Sequence, residues 1–207
     1  TALIAAAPAD FLRAGIGDAI AKRFEADGCA VGTGLTPLGT RPLGIATAIG
    51  DRCYDVLRSH AVQAVADCES GVVTDALERT VEAVVLMSGL AFENGGLSVA
   101  HSLTRGLMRV EGARTLPHGY HVAWGALVQL AAEGRPDGEI EDLIVFLRAV
   151  GLPVSSACLG LHQPVSDVFA QIAVHTMTAP HLANFPVPVT EQLIVDAARR
   201  VDALAGD

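Results

Sequence analysis

The sequence predicts an all-α fold, a multi-helix, bundle-like single domain over residues 1–207. Three observations predict it. Apolar residues recur at helical spacing, as in Phe11, Leu12, Ile16, Ile20 and Phe24. No stretch alternates apolar and polar residues as a half-buried strand does, and there is no βαβ unit or internal repeat. The chain is 51% hydrophobic but only 4% aromatic, so Ala, Val, Leu and Ile must build the core. Such small side chains suit helices in close contact.

The elements follow in order. Pro8 suits a first helical turn, because its missing N–H is one that a helix start leaves unpaired anyway. The helix after it contains Gly15 and Gly17 just before Asp18. Glycine costs up to about 1 kcal/mol inside a helix, so this pair implies a bend or a backbone needed close to something else. Residues 28–36 read as loop and residues 37–50 as a small-residue, tightly packed helix. Asp51 is placed to cap the next helix, to about Cys68. Thr74 caps another, with Asp75 and Glu78 at its positive end, to about Ala91. Gly95-Gly96 starts a helix carrying His101, and Pro117 starts the helix after His118. Residues 139–150 are amphipathic and stop at Gly151, with Pro153 beyond. Pro164 opens a helix to about Met177, residues 180–189 are a proline-rich loop, and Thr190 caps a last helix to about Leu204.

Composition narrows the function. The net charge of −9 and a single lysine, Lys22, argue against a nucleic-acid partner, which needs clustered Lys and Arg. No run approaches the ~20 apolar residues that span a bilayer, so no membrane partner is expected. The longest, residues 83–92, is broken by Ser88 and Gly89. The N-terminal apolar stretch has no basic flank and makes a poor signal peptide. Without an initiator Met, the chain reads as part of something longer. Four scattered cysteines with no C-x-x-C read as reduced, buried thiols of a cytoplasmic protein. The mean hydropathy of +0.41 is high, implying apolar surface covered by another subunit or domain.

The residues that could carry chemistry are few. His101 and His118 lie 17 residues apart, each among small residues. Two imidazoles on neighbouring helices can hold a divalent ion. His118 lies between Pro117 and Gly119, where a helix begins and something can approach closely. Taken alone, His101 also reads as a satisfied core histidine. Asp18 is the best third ligand, since a carboxylate on an apolar face needs a charge partner or donors. Spacing alone favours a capping or surface aspartate over a ligand. His121 follows His118 at i+3, as a fourth ligand, a supporting group or a proton relay. His60, His162, His175 and His181 have no such setting. There is no G-x-G-x-x-G after a strand and no P-loop.

Several segments together resemble one family. Pro8-x9-Asp18-Ala-Ile-x4-Glu25 is similar to the first signature of the iron-containing (group III) alcohol dehydrogenases. Gly15-Ile-Gly-Asp-Ala-Ile-Ala-Lys-Arg-Phe-Glu-Ala26, Val72-Val-Thr-Asp-Ala-Leu-Glu-Arg79 and Ser88-Gly-Leu-Ala-Phe-Glu-Asn-Gly-Gly-Leu97 resemble its glycerol dehydrogenase branch. So do His118-Gly-x-x-Val-Ala-Trp-Gly125 and Asn184-Phe-Pro-x-Pro-Val-Thr-Glu-Gln192. The similarity covers essentially the whole chain.

The resemblance implies the helical C-terminal domain of the dehydroquinate synthase-like fold, with the family's N-terminal nicotinamide-binding domain absent from these residues. It implies metal ligands at Asp18, His101 and His118, Zn²⁺ as the ion with Fe²⁺ as the alternative, and NAD as cofactor of the full-length enzyme. It implies a small polyol or alcohol substrate and a homo-oligomer. Other branches often carry a further histidine where Lys22 stands, so the resemblance implies a three-ligand site. Arg13 and the pair Tyr120-His121 depart from the branch, near the expected active site, and put the substrate in question. Two alternatives accompany this reading: a related enzyme acting on a phosphorylated substrate, and a non-catalytic helical assembly module.

Overall fold

The computed structural model describes residues 1–161 and 165–206, and these contain helices and turns with no strand. His162 and Pro164, the expected helix opener, lie outside the described residues. The α-helices are α1 (Ala2–Ala5), α2 (Ala9–Ile20), α3 (Lys22–Val31), α4 (Gly44–Glu69), α5 (Asp75–Glu82), α6 (Ser88–Gly95), α7 (Val99–Ser102), α8 (Thr104–Leu107), α9 (His118–Ala132), α10 (Asp137–Val150), α11 (Val165–Thr176) and α12 (Glu191–Ala205). A π-helical turn, Ala83–Met87, joins α5 to α6 without a break.

The caps read from sequence hold at Thr74 and Thr190, whose hydroxyls accept from Leu77 N (3.2 Å) and Leu193 N (3.1 Å). Gly151 ends α10 in the left-handed conformation, φ +86°. Three expectations are corrected. Asp51 caps nothing, because α4 starts earlier, at Gly44, and runs through it. Instead of a separate helix over 37–50, residues 44–50 are the start of this same helix, with Ala46 and Gly50 buried. Gly95 closes α6 rather than opening the next helix; Gly96, at φ +94°, turns the chain toward Val99.

The centre of the domain is α9. From Val122 to Leu130 every residue is buried, and α2, α7, α10 and α12 pack around it. Trp124 stacks on Phe169 of α11 at 6.1 Å between ring centres. The glycine pair of α2 produces no break in that helix. A Cβ on Gly17 would collide with the Gly119 carbonyl, and one on Gly119 with the Ala14 carbonyl. The two helices therefore cross almost backbone to backbone. Gly125 does the same against Ala100 of α7.

Among the described residues no single helix is long and apolar enough to cross a membrane. Of the cysteines, Cys29, Cys53 and Cys68 are buried as expected. Cys158 is exposed, because it sits on a 3₁₀ turn outside the helix packing. Apolar side chains also remain outside, among them Leu3 (86% exposed), Phe11 (70%) and Val85 (66%).

Candidate metal centre

The close crossings decide what meets. Asp18 follows Gly17 on α2, His118 precedes Gly119 on α9, and His101 follows Ala100 on α7. Backbone contact at those small residues brings the three side chains to one point. Asp18, His101 and His118 each offer a ligand atom, and these atoms all lie within 4.8 Å of one another. Asp18 Oδ1 is 3.0 Å from His101 Nε2 and 3.4 Å from His118 Nε2. One carboxylate and two imidazoles suit a divalent ion and leave coordination positions for a further ligand.

Behind them stands Glu25, fully buried on α3. Its Oε2 takes His101 Nδ1 at 2.7 Å, and its Oε1 accepts from the backbone N–H groups of Ser98 (2.7 Å) and His101 (3.2 Å). One carboxylate thus caps the short helix α7 and accepts the His101 Nδ1 proton, which leaves Nε2, on the Asp18 side, as the ring nitrogen that an ion would take. Gln129 of α9 braces the same helix, accepting from Ala100 N at 3.0 Å and donating to Phe24 O at 3.1 Å.

Lys22 is 3% exposed, with Nζ 3.2 Å from Asp18 Oδ2 and 3.0 Å from His101 Nε2. It stands in the cluster itself, whereas the sequence reading made it only the replacement for a family histidine. These charges set the titration. Burial alone would raise the Asp18 carboxyl, but hydrogen bonds from His101 and His118 and the Lys22 charge hold it far below the usual carboxylate range. Glu25 is likewise lowered: burial opposes this, and His101, Lys22 and the Ser98 N–H overcome it. Burial works against the charged His101 imidazole, yet Glu25 and Asp18 hold its pKa above the ordinary value.

The cluster opens into a pocket of about 560 Å³ walled by Val85, Phe92 and Leu97. Two further residues line it that sequence reasoning passed over. His181, set aside as having no metal setting, is carried there by the 3₁₀ turn Pro180–Asn184, and Arg105 by α8. Glu25 stands within the segments that resemble the family, but nothing local gives it a role: α2 ends at Ile20 and Glu25 belongs to α3. Arg105 has a local signal, four residues after His101. His181 has none, since only tertiary packing brings it there.

His121 lies elsewhere. It is buried in α9, its Nε2 2.7 Å from the Ala113 carbonyl, and it does not line this pocket. Burial pushes its pKa below the ordinary imidazole value. Arg13 and Tyr120 also face away, both bonded to Asp10.

Comparison with known proteins gives a consistent result. No family model matches. The chain is 37% identical to the glycolaldehyde reductase of Halobacterium salinarum and 37% identical to the glycerol dehydrogenase of Citrobacter freundii. Each match covers 99% of this chain and 56% of the relative, so the chain spans little more than half the length of these proteins. The solved structure of a probable glycerol dehydrogenase from Sinorhizobium meliloti superposes with a TM-score of 0.95 at 38% identity, over 99% of this chain and 58% of that one.

Proposed function

We propose, from the membership of this chain in the glycerol dehydrogenase branch of the iron-containing alcohol dehydrogenase family, that it forms the metal-binding, substrate-side part of a NAD-dependent dehydrogenase of small polyols or alcohols. The observation that carries the reading is the convergence of Asp18, His101 and His118 at the floor of an open pocket.

The donor set fits an ion. Three ligand atoms lie within bridging distance, and the Glu25 carboxylate presets the His101 tautomer, as a partner behind a metal-bound histidine does. We assign Asp18, His101 and His118 as the ligands of a divalent ion, Zn²⁺ ahead of Fe²⁺. When bound, that ion supplies Lewis acidity that makes a substrate hydroxyl easier to deprotonate. The chain's residues do the rest. Glu25 fixes His101 in place and in tautomer. Lys22 offsets the Asp18 charge. Val85, Phe92 and Leu97 shield the reacting carbon from water, and half-exposed His118 marks the side from which substrate enters. The described residues contain no strand, so the reading places the nicotinamide on a domain outside residues 1–207. His121, enclosed in α9, receives no proton-relay role in it.

The test is metal analysis of the purified protein and of its His118→Ala variant. His118 is 55% exposed, so the variant should fold. About one ion per chain is expected in the parent and loss of most of it in the variant. Undiminished metal in His118→Ala removes the reading.

A further inference from the structure

We propose that Arg105, Arg109 and His175 form a binding site for a small tetrahedral oxyanion, inorganic phosphate or a phosphate monoester, in a hollow of its own beside the candidate metal pocket. The site uses none of the three candidate metal ligands, so it stands or falls apart from the dehydrogenase reading.

The hollow holds about 250 Å³ and is lined by Arg105, Met108, Arg109, His175 and Thr178. Its two walls come from distant parts of the chain. Arg105 lies on α8, and Arg109 lies in the turn that follows, where its N–H donates to Gly106 O at 2.9 Å. His175 is in the last turn of α11, and Thr178 lies just beyond that helix. A Cβ on Gly106 would collide with the Ile172 carbonyl, so α8 and α11 cross backbone to backbone at this point. That contact sets the separation of the walls. Side chains then tie them together. Arg105 Nη1 donates to Thr178 O at 3.0 Å and to Thr178 Oγ1 at 3.3 Å. The Thr178 hydroxyl donates in turn to His175 O at 2.7 Å.

Charge points to the occupant. The chain carries a net charge of −9, yet two of its arginines meet here and no carboxylate lines the hollow. Among the described residues neither arginine pairs with a carboxylate, and the Arg109 guanidinium has no hydrogen bond at all. Like charges four residues apart along a helical turn repel each other. A bound anion removes that repulsion. The free donors are the remaining nitrogens of the Arg105 fork, the whole Arg109 fork and the His175 ring, and they come from both walls. A carboxylate offers two oxygens in one plane and one charge. A phosphate group offers at least three oxygens in different directions and about two charges, so it can answer both forks together.

The experiment is a calorimetric titration of the complete protein with inorganic phosphate at constant ionic strength, with chloride as the control for screening. It is repeated on Arg109→Gln and on His118→Ala. Arg109 is exposed, so Arg109→Gln should keep the parental Tm without phosphate. Expected is saturable binding of phosphate, weakened about tenfold or more in Arg109→Gln and retained in His118→Ala. A parent that binds phosphate no better than chloride overturns the proposal. Equal phosphate affinity in the parent and in Arg109→Gln overturns it as well. Binding lost in His118→Ala but kept in Arg109→Gln would put the phosphate on the metal site, a third overturning result. Dinucleotide affinity, measured on Arg109→Gln, then separates the sources of the same chemistry. An unchanged value assigns the site to a free phosphate compound, and a loss parallel to that for phosphate assigns it to the phosphates of the dinucleotide.

Discussion

At the scale of single residues, the site is a problem of buried charge. Glu25 is fully buried and negative, a state that is costly unless every oxygen is answered. Two backbone N–H groups and the His101 imidazole answer it. Glu25→Gln keeps the size but removes the charge and gives His101 a weaker acceptor. Metal affinity in that variant should fall about 10- to 100-fold, read by competition with a chromogenic chelator. An unchanged affinity would show that Glu25 serves only to cap α7. Part of this was legible beforehand: Asp18, His101 and His118 each stand in a small-residue setting suited to close helix contact. The roles of Glu25, Lys22 and His181 were not, because a linear pattern does not say which side chains end up with no water to turn to.

At the scale of elements, the crossing of α2 and α9 makes the site. Gly17 and Gly119 leave no room for a side chain, so their neighbours Asp18 and His118 are held at fixed separation. Gly119→Ala forces a methyl group into the Ala14 carbonyl and must spread the two helices. We expect a loss of about 3 kcal/mol, seen as a clear drop in Tm, with weakened metal binding. A variant of parental stability and parental metal affinity would show that the crossing is more pliable than its geometry implies. The helix boundaries most easily read from sequence were those with a cap or stop of their own, Thr74, Gly151 and Thr190. Those misread, Asp51 and Gly95-Gly96, lay where packing carries a helix through a capping residue or a turn reverses the part a glycine plays.

At the scale of the whole molecule, apolar surface remains uncovered. Leu3, Phe11 and Val85, with Ala7 and Val81, line an apolar hollow of about 270 Å³. Val84 and Val85 line both this hollow and the candidate metal pocket, so the two adjoin. Contiguous apolar surface beside a functional pocket marks a contact face. The polypeptide of residues 1–207 alone should therefore scatter light with a mass above its own 21.4 kDa, and Phe11→Ser with Val85→Ser should reduce that mass. A monomer at micromolar concentration would argue that this face needs no cover.

The all-α class, most helices and the three candidate ligands were set by the sequence itself, because helical periodicity, caps and small-residue contacts are local properties written into neighbouring positions. Tertiary structure alone decided that Asp18, His101 and His118 meet, that Glu25 stands behind them and Lys22 among them, that Arg105 and His181 reach the pocket, and that His121 does not. Those outcomes depend on how closely helices far apart in the chain can cross, and at Gly17, Gly119 and Gly125 it is the missing side chain that lets the backbones touch.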